Sequence, residues 1–192
     1  KVTASYAPTE DMMLYATISE GFRAGFLNRP GGYTSKDGLY TVPYQFDTDD
    51  MMNYEFGWKA VLADGQLRFN GSTFFVDVSG LQTTVFDPSI VNLFFSDNAA
   101  DAEISGIEGD FIYYPEAEGW KVSGAFSLLS TEITKSLVPT DDIKVGSDLA
   151  FAPGMQGNLA ARKEWAMASG NTGHYQAQLT WSDDSYSDVM AP

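Results

Sequence analysis

NYEFGWKAVLADGQLRFNGSTFF, residues 53–75, contains two runs in which apolar and polar side chains alternate, joined by a short turn. One face of the first run is apolar and consists of Tyr54, Phe56, Trp58, Ala60 and Leu62. The opposite face is mostly polar and consists of Asn53, Glu55, Gly57, Lys59 and Val61. Ala63-Asp64-Gly65 supplies the turn, after which the run from Leu67 to Phe75 alternates in the same way. A period of two on both sides of a tight Gly-containing turn predicts an antiparallel β-hairpin.

The same alternation recurs along the whole chain, and well-patterned segments with helical spacing are nearly absent. The predicted strands outside the first hairpin are Met12–Ser19, Ile107–Tyr113, Trp120–Leu128, Gln156–Trp165 and His174–Ser182, with Lys1–Tyr6 as the end of a preceding strand. The apolar face is rich in aromatic residues in strand after strand. The sequence therefore predicts an all-β protein.

Connections between the predicted strands fall into two classes that alternate. The short ones are Ala7–Asp11, Ala63–Gly65, Pro115–Gly119 and Ala168–Gly173, and the long ones are Phe22–Met52, Gly80–Ala102, Glu132–Ala150 and the segment after Asp183. All short turns should then lie at one end of the sheet and all long loops at the other. Outer-membrane β-barrels have this asymmetry, and strands of about ten residues are long enough to cross the hydrocarbon at their usual tilt.

Composition excludes several classes of protein. The 192 residues carry a formal net charge of −15, which disfavours nucleic acid as a partner. There is no Cys, which excludes disulfides and thiolate metal sites, and the lone His174 disfavours most other metal sites and catalytic triads. Carboxylates crowd the long loops, where we expect solvation, with calcium binding as the alternative.

Two other folds remain compatible with the alternation. A soluble antiparallel sandwich also alternates apolar with polar residues, and a complete eight-stranded barrel fits the chain length. A soluble carbohydrate-binding sandwich and a passive channel or small structural barrel are therefore the alternative functions.

Several segments resemble a known family in order and spacing. They are Asp11–Asn28 (DMMLYATISEGFRAGFLN), Asn53–Lys59 (NYEFGWK), Arg68–Asp77 (RFNGSTFFVD), Leu81-Gln82, Asn98–Glu108 (NAADAEISGIE) and Ala152–Leu159 (APGMQGNL). These resemble the barrel domain of TonB-dependent outer-membrane receptors. The sequence departs from the family pattern at Phe26-Leu27 and in a long Pro/Gly/Tyr-rich insertion before Asn53.

The resemblance implies an antiparallel transmembrane β-barrel wall of about seven to eight strands from a 22-stranded barrel. Residues 1–192 would then be a partial barrel domain, without the plug domain and the final strands. The implied function is active import of a scarce, bulky nutrient such as a ferric siderophore, cobalamin, haem or glycan, in the outer membrane of a Gram-negative bacterium. The implied partners are the TonB-ExbB-ExbD system, acting through the missing N-terminal region, the imported ligand and outer-membrane lipid. Enzymatic activity, a cofactor and a metal site are not expected.

The first long loop is the best candidate for ligand contact. It combines cations with aromatic rings, which can pair with anionic groups and stack on planar ones. The candidate residues are Phe22, Arg23, Phe26, Arg29, Tyr33, Lys36, Tyr40 and Tyr44. The alternative is a solvated loop that packs on its neighbours.

Overall fold

The computed structural model describes residues 1–29, 31–140 and 143–187. Its strands are β1 (Val2–Thr9), β2 (Met12–Arg23), β3 (Phe26–Leu27), β4 (Gln45–Phe46), β5 (Asp49–Leu62), β6 (Leu67–Val85), β7 (Phe95–Tyr113), β8 (Trp120–Ser136), β9 (Met155–Ala166) and β10 (Thr172–Ser182). No helix within the described residues is long and apolar enough to cross a membrane. The prediction of an all-β antiparallel protein is confirmed.

Eight strands form one continuous sheet in the order β1-β2-β5-β6-β7-β8-β9-β10, and each is antiparallel to its neighbours. The small β3-β4 pair lies within the loop between β2 and β5. A single sheet excludes the two-layer sandwich. Among the described strands, β1 and β10 are the two edges, so these strands do not close into a small barrel.

The predicted faces and turns are confirmed. Tyr54 pairs with Phe75 and Trp58 with Gly71, which brings the apolar residues of both strands to one face, called the apolar face below. In the first hairpin turn, Ala63 and Asp64 both adopt φ of 51°, and Gly65 follows at 88°. Positive φ at consecutive residues matches the turn to the right-handed twist of the flanking strands.

The turns are staggered along the register, as they must be in a tilted barrel wall. Met12, at the first turn, is level with Ala60, Phe69, Phe111, Gly124 and Leu159 in the following strands. The next two turns begin slightly beyond this line, after Leu62 and after Tyr113, which are level with each other, and the last begins much further along, after Ala166. A stagger between the first and last turns is the shear that a closed barrel requires.

A row of carboxylates ends the apolar face on the loop side. The four carboxylates Glu20, Asp77, Glu103 and Glu132, with Met52 between the first two, are paired in register across β2, β5, β6, β7 and β8. On the turn side of this row, large apolar side chains stay exposed: Ile18, Tyr54, Phe56, Phe75, Ile107, Leu128, Leu159 and Leu179. A broad exposed apolar belt with a sharp charged border is what a lipid-facing surface requires.

Several strands are longer than predicted, and β6, β7 and β8 exceed their predicted bounds by the most. β6 and β7 have 19 residues each and β8 has 17, so most of the predicted loop Gly80–Ala102 is strand. Gly80, at φ 64°, marks a register shift between Val78 and Leu81, where β6 passes the carboxylate row. Its N–H donates to Asp101 Oδ1 at 2.8 Å, which fixes the bend. Beyond a bulge, the residues that point to each side of the sheet are shifted by one position. The alternating sequence pattern therefore does not continue there.

The buried core lies beyond the carboxylate row, where loops pack on the extended strands. Its members are Val42, Val85, Ile90, Val91, Phe95, Ala99, Ala100, Ile133, Val138 and Ile143. Val78, Ala102 and Ile133 are cross-strand neighbours on the polar face and are buried there. Apolar burial therefore fixes the loops, while the belt itself has no core of its own.

Candidate ligand-binding loop

The loop between β2 and β5, described over residues 24–29 and 31–48 and called loop 24–48 below, contains most of the candidate ligand contacts. Its two arms pair through β3 and β4, with Phe26 opposite Phe46, and further out Thr34 bridges Thr41. Val42 is fully buried in the core. The loop is thus a folded excursion that rests on β6 and β7.

An ion pair closes the base of the loop. The guanidinium of Arg23 donates from Nε to Asp49 Oδ2 at 2.7 Å and also through Nη2, and the Arg23 N–H donates to Asp49 Oδ1 at 2.9 Å. Asp49 is fully buried, whereas about half of the Arg23 side chain is exposed. Burial opposes ionisation of Asp49, but the bonds from Arg23 and from the Gln82 N–H outweigh it and lower its pKa.

Gln82 joins both arms of the loop. Its side-chain Nε2 donates to the carbonyl oxygens of Arg23 at 3.1 Å and Ala24 at 3.2 Å on the outgoing arm. It also donates to the carbonyl of Asp47 at 2.9 Å on the returning arm. One amide on β6 therefore holds two chain segments that are distant in sequence.

Asn98, paired with Gln82 in the register of β6 and β7, repeats this arrangement. Its Oδ1 accepts the Asp47 N–H at 2.7 Å. Its Nδ2 donates to the carbonyls of Asp47 at 3.0 Å, Thr48 at 3.3 Å and Gly80 at 2.7 Å. A single side chain thus connects the returning arm to the bulge in β6.

Asn28 fixes the outgoing arm further from the sheet. Its Nδ2 donates to Ser96 O at 2.6 Å and Pro43 O at 3.0 Å, and its Oδ1 accepts the Ser96 N–H at 2.9 Å. Amide side chains suit this task because they donate and accept at once.

Tyr40 connects the middle of the loop to β7. Its hydroxyl donates to Asp97 Oδ2, and its ring packs on Phe95 with centroids 6.0 Å apart. Burial, followed by the nearby Asp97 carboxylate, raises the pKa of Tyr40, so it stays a neutral phenol that donates.

The eight candidate residues separate into three groups. Arg23 and Tyr40 are engaged in the contacts just described. Phe26, Arg29, Tyr33, Lys36 and Tyr44 are exposed on the loop. Phe22 pairs with Asp50 and is 70% exposed on the same side of the sheet as the apolar face, just beyond Glu20. It therefore lies on the opposite side of β2 from Arg23. The Tyr44 ring covers Gly31 and Gly32, where any Cβ would overlap it.

Two aromatic residues on other loops were not predicted. A cavity of about 510 Å³ beside the loop base is lined by Arg23, Phe46, Gln82, Thr83, Thr84, Phe94, Ser96, Phe151 and Ser187. Phe94 is 67% exposed, and Phe151 is 75% exposed with φ of 58°. Sequence reasoning missed both residues because neither belongs to a periodic pattern. Phe151 combines an exposed ring with a strained backbone, which only the structure reveals.

Among the described residues, no group of three or more acidic, His or Cys side chains is arranged to hold a metal. Asp141, Asp142 and Asp188, which belong to the predicted acidic clusters, lie outside the described residues. His174 is exposed on the polar face of β10, opposite Glu164.

Comparison with known proteins identifies the family to which the sequence is related. Residues 1–190 match the family profile described as TonB dependent receptor-like, beta-barrel. A comparison with curated protein sequences gives no significant match.

Solved structures share the fold. The ferric yersiniabactin uptake receptor FyuA from Yersinia pestis superposes with a TM-score of 0.65 at 18% identity, over 93% of this chain and 24% of that one. The ferric preacinetobactin receptor BauA from Acinetobacter baumannii gives 0.69 at 21% identity, over 98% and 26%. The copper transporter OprC gives 0.62 at 14% identity, over 84% and 23%. The chain spans about a quarter of the length of these proteins.

Proposed function

Since the chain belongs to the TonB-dependent receptor β-barrel family, we propose that it is part of an outer-membrane receptor for active import of a metal chelate, with ferric siderophores as the first candidates. The observation that carries this proposal is the family match over residues 1–190. FyuA and BauA are receptors for ferric siderophores, and OprC is a copper transporter. Cobalamin, haem and glycans are the alternative candidates for the imported nutrient.

The two faces of the sheet support an outer-membrane location. The apolar face exposes a belt of aromatic and aliphatic side chains up to the carboxylate row. The opposite face is polar, with Tyr15 bonded to Glu55 at 2.7 Å and Ser72 to Glu108 at 3.3 Å. Lipid on one side and a wet interior on the other require this division.

The exposed side chains of the loop support ligand contact. Phe26, Tyr33 and Tyr44 offer rings and phenol groups, while Arg29 and Lys36 offer the positive charge that an anionic chelate would need. In a chain of net charge −15, cations beside exposed rings favour an anionic, ring-bearing ligand.

Energy for import would come from TonB-ExbB-ExbD acting on the N-terminal region of the intact receptor. A passive channel would need no such energy. Whether uptake depends on TonB therefore distinguishes the two functions.

The test is uptake of ⁵⁵Fe by a Gram-negative host that lacks its own siderophore receptors and produces the intact parent protein. Ferric catecholate, hydroxamate and phenolate complexes would be supplied separately, with and without functional TonB. We expect TonB-dependent uptake of at least one complex. Uptake that persists without TonB would instead establish a passive channel.

Variants of the loop would then test the ligand contacts. Tyr33→Ala and Tyr44→Ala should raise the KM for uptake of the transported complex by about tenfold each. Tyr114→Ala is the matched control, since Tyr114 is an exposed tyrosine at the opposite, turn end of the wall. Equal effects of all three variants would remove the loop from the proposed site.

A further inference from the structure

We propose that Gln82 and Asn98 are positioning residues that hold the loop 24–48 in one conformation on the wall before any ligand arrives. On this inference the loop presents a preformed surface and does not close over the ligand as a lid. The inference does not depend on which nutrient is carried.

The first argument is the number of chain segments that each amide joins. Gln82 donates to carbonyls on both arms of the loop, and Asn98 bonds to the returning arm through both ends of its amide. For the arms to move away from β6 and β7, several of these bonds must break together. Each of these bonds would be exchanged for a bond to water at a modest net cost, and the costs add because the bonds break together.

The second argument is that the rest of the loop is fastened by independent contacts of the same kind. Asn28 bonds to Ser96 and Pro43, Tyr40 bonds to Asp97, and Val42 is buried in the core. Main-chain bonds join the arms to each other: Gly32 N–H to Val42 O at 2.8 Å and Ser35 N–H to Tyr40 O at 2.8 Å. A lid that opens freely has few buried apolar contacts and few internal bonds, which is the opposite pattern.

The third argument is where the ring-bearing side chains lie. Phe26, Tyr33 and Tyr44 are 73%, 57% and 73% exposed, while Asn28 and Tyr40 are half-buried and Val42 is fully buried. The loop therefore combines buried or half-buried anchoring residues with exposed ring-bearing ones. Arg23 and Tyr40 make anchoring contacts and so position the exposed residues.

Hydrogen exchange of the intact, ligand-free receptor in detergent tests the inference. Amides of residues 24–48 should be protected, with Gly32, Ser35 and Val42 among them. Gln82→Glu keeps the size of the side chain but removes the donor that three carbonyls share, so exchange over 24–48 should accelerate about tenfold or more. Asn98→Asp, which also removes a donor, should act in the same way.

Gln45→Glu is the matched control. Gln45 is exposed on the same loop, so this variant adds the same charge there without removing a side-chain bond that the structure shows. Exchange in Gln45→Glu should match that of the unmodified receptor. Equal exchange in Gln82→Glu, Asn98→Asp and Gln45→Glu would overturn the inference, as would an acceleration spread evenly over the barrel strands.

A spectroscopic readout separates positioning of the loop from stability of the barrel. Leu39 is 79% exposed near the tip of the loop, and a nitroxide on Leu39→Cys reports motion there. Its spectrum should be broad in the unmodified background and narrow in Gln82→Glu, while the heat-modifiable gel mobility of the folded barrel stays unchanged. A narrow spectrum in both backgrounds would show a mobile loop and overturn the inference.

Discussion

Glycines on the apolar face owe their place to aromatic neighbours on adjacent strands. A Cβ on Gly71 would overlap the Trp58 ring and lie 2.8 Å from the carbonyl oxygen of Glu108. Gly109 lies under Phe126 in the same manner, with a Cβ 2.9 Å from the ring. These rings thus occupy the space that a side chain at the glycine would need.

Gly71→Ala should therefore destabilise the barrel by about 1–3 kcal/mol, because the Trp58 ring must move away from its packed position. The measurement is the urea unfolding free energy of the intact receptor in lipid vesicles. Gly21→Ala is the control, since a Cβ there would meet no atom within 4 Å. Equal stability of the two variants would contradict the packing argument.

Asp49 makes the anchoring of the loop dependent on pH. Its folded pKa is lowered from 3.8, so its contribution is fully present above about pH 4 and is lost as pH falls through the lowered value. The nitroxide spectrum at Leu39→Cys should stay broad from pH 7 to about pH 4 and narrow at lower pH. Asp49→Asn should abolish this pH dependence and weaken anchoring at neutral pH by about 1–2 kcal/mol. A spectrum that narrows between pH 7 and 5 would contradict this assignment.

Each strand of the wall changes surroundings along its length. On the apolar face of β7, Glu103 belongs to the carboxylate row, Ile107 lies within the belt and Tyr113 lies at the turn end. β6 and β7 continue past the row and become the platform to which the loop is fastened. Each of these strands therefore carries part of the apolar belt and part of the platform for the loop. In β6, the bulge at Gly80 lies near the transition between the two parts.

A charge placed at two depths of β7 should report this change of surroundings. Ile107→Arg should destabilise the folded receptor by about 2–4 kcal/mol, because the guanidinium would face hydrocarbon. Glu103→Arg on the same face of the same strand should change stability by about 1 kcal/mol or less. Both values come from unfolding of the intact receptor in lipid vesicles. Similar costs at both depths would contradict the assignment of the belt to lipid.

The sheet as a whole has two unpaired edges, β1 and β10, and a wide exposed apolar face. Neither feature is compatible with an isolated monomer in water, since free edges and exposed apolar surface both lead to association. The remaining strands of a family barrel would pair with both edges. On the proposed function, the wall would take its stability from the complete barrel and the bilayer.

We expect the native protein to be several times larger than this chain. The chain has a mass of 21.0 kDa and spans 24% and 26% of FyuA and BauA, so an intact mass of about four times 21.0 kDa is predicted. Mass spectrometry of the protein isolated from detergent-solubilised membranes, identified by peptides of this sequence, is the measurement. A mass near 21.0 kDa would contradict the receptor interpretation and leave a small closed assembly.

The period-two alternation was sufficient to predict the strands, their faces and the turns, because a lipid-facing wall imposes one simple rule on every second residue. The family was predicted from the resemblance of segments such as Asn53–Lys59, not from the alternation. Beyond the carboxylate row that rule ends, and the extensions of β6, β7 and β8 were predicted as loops. There the fold is held by buried apolar side chains and by amides such as Gln82 and Asn98 that bond to distant backbone. Such contacts have no period, so the sequence could nominate Arg23 and Tyr40 for their chemistry but not reveal that they anchor the loop. Only the three-dimensional packing of the loop on the sheet separates the residues that hold it from those it exposes.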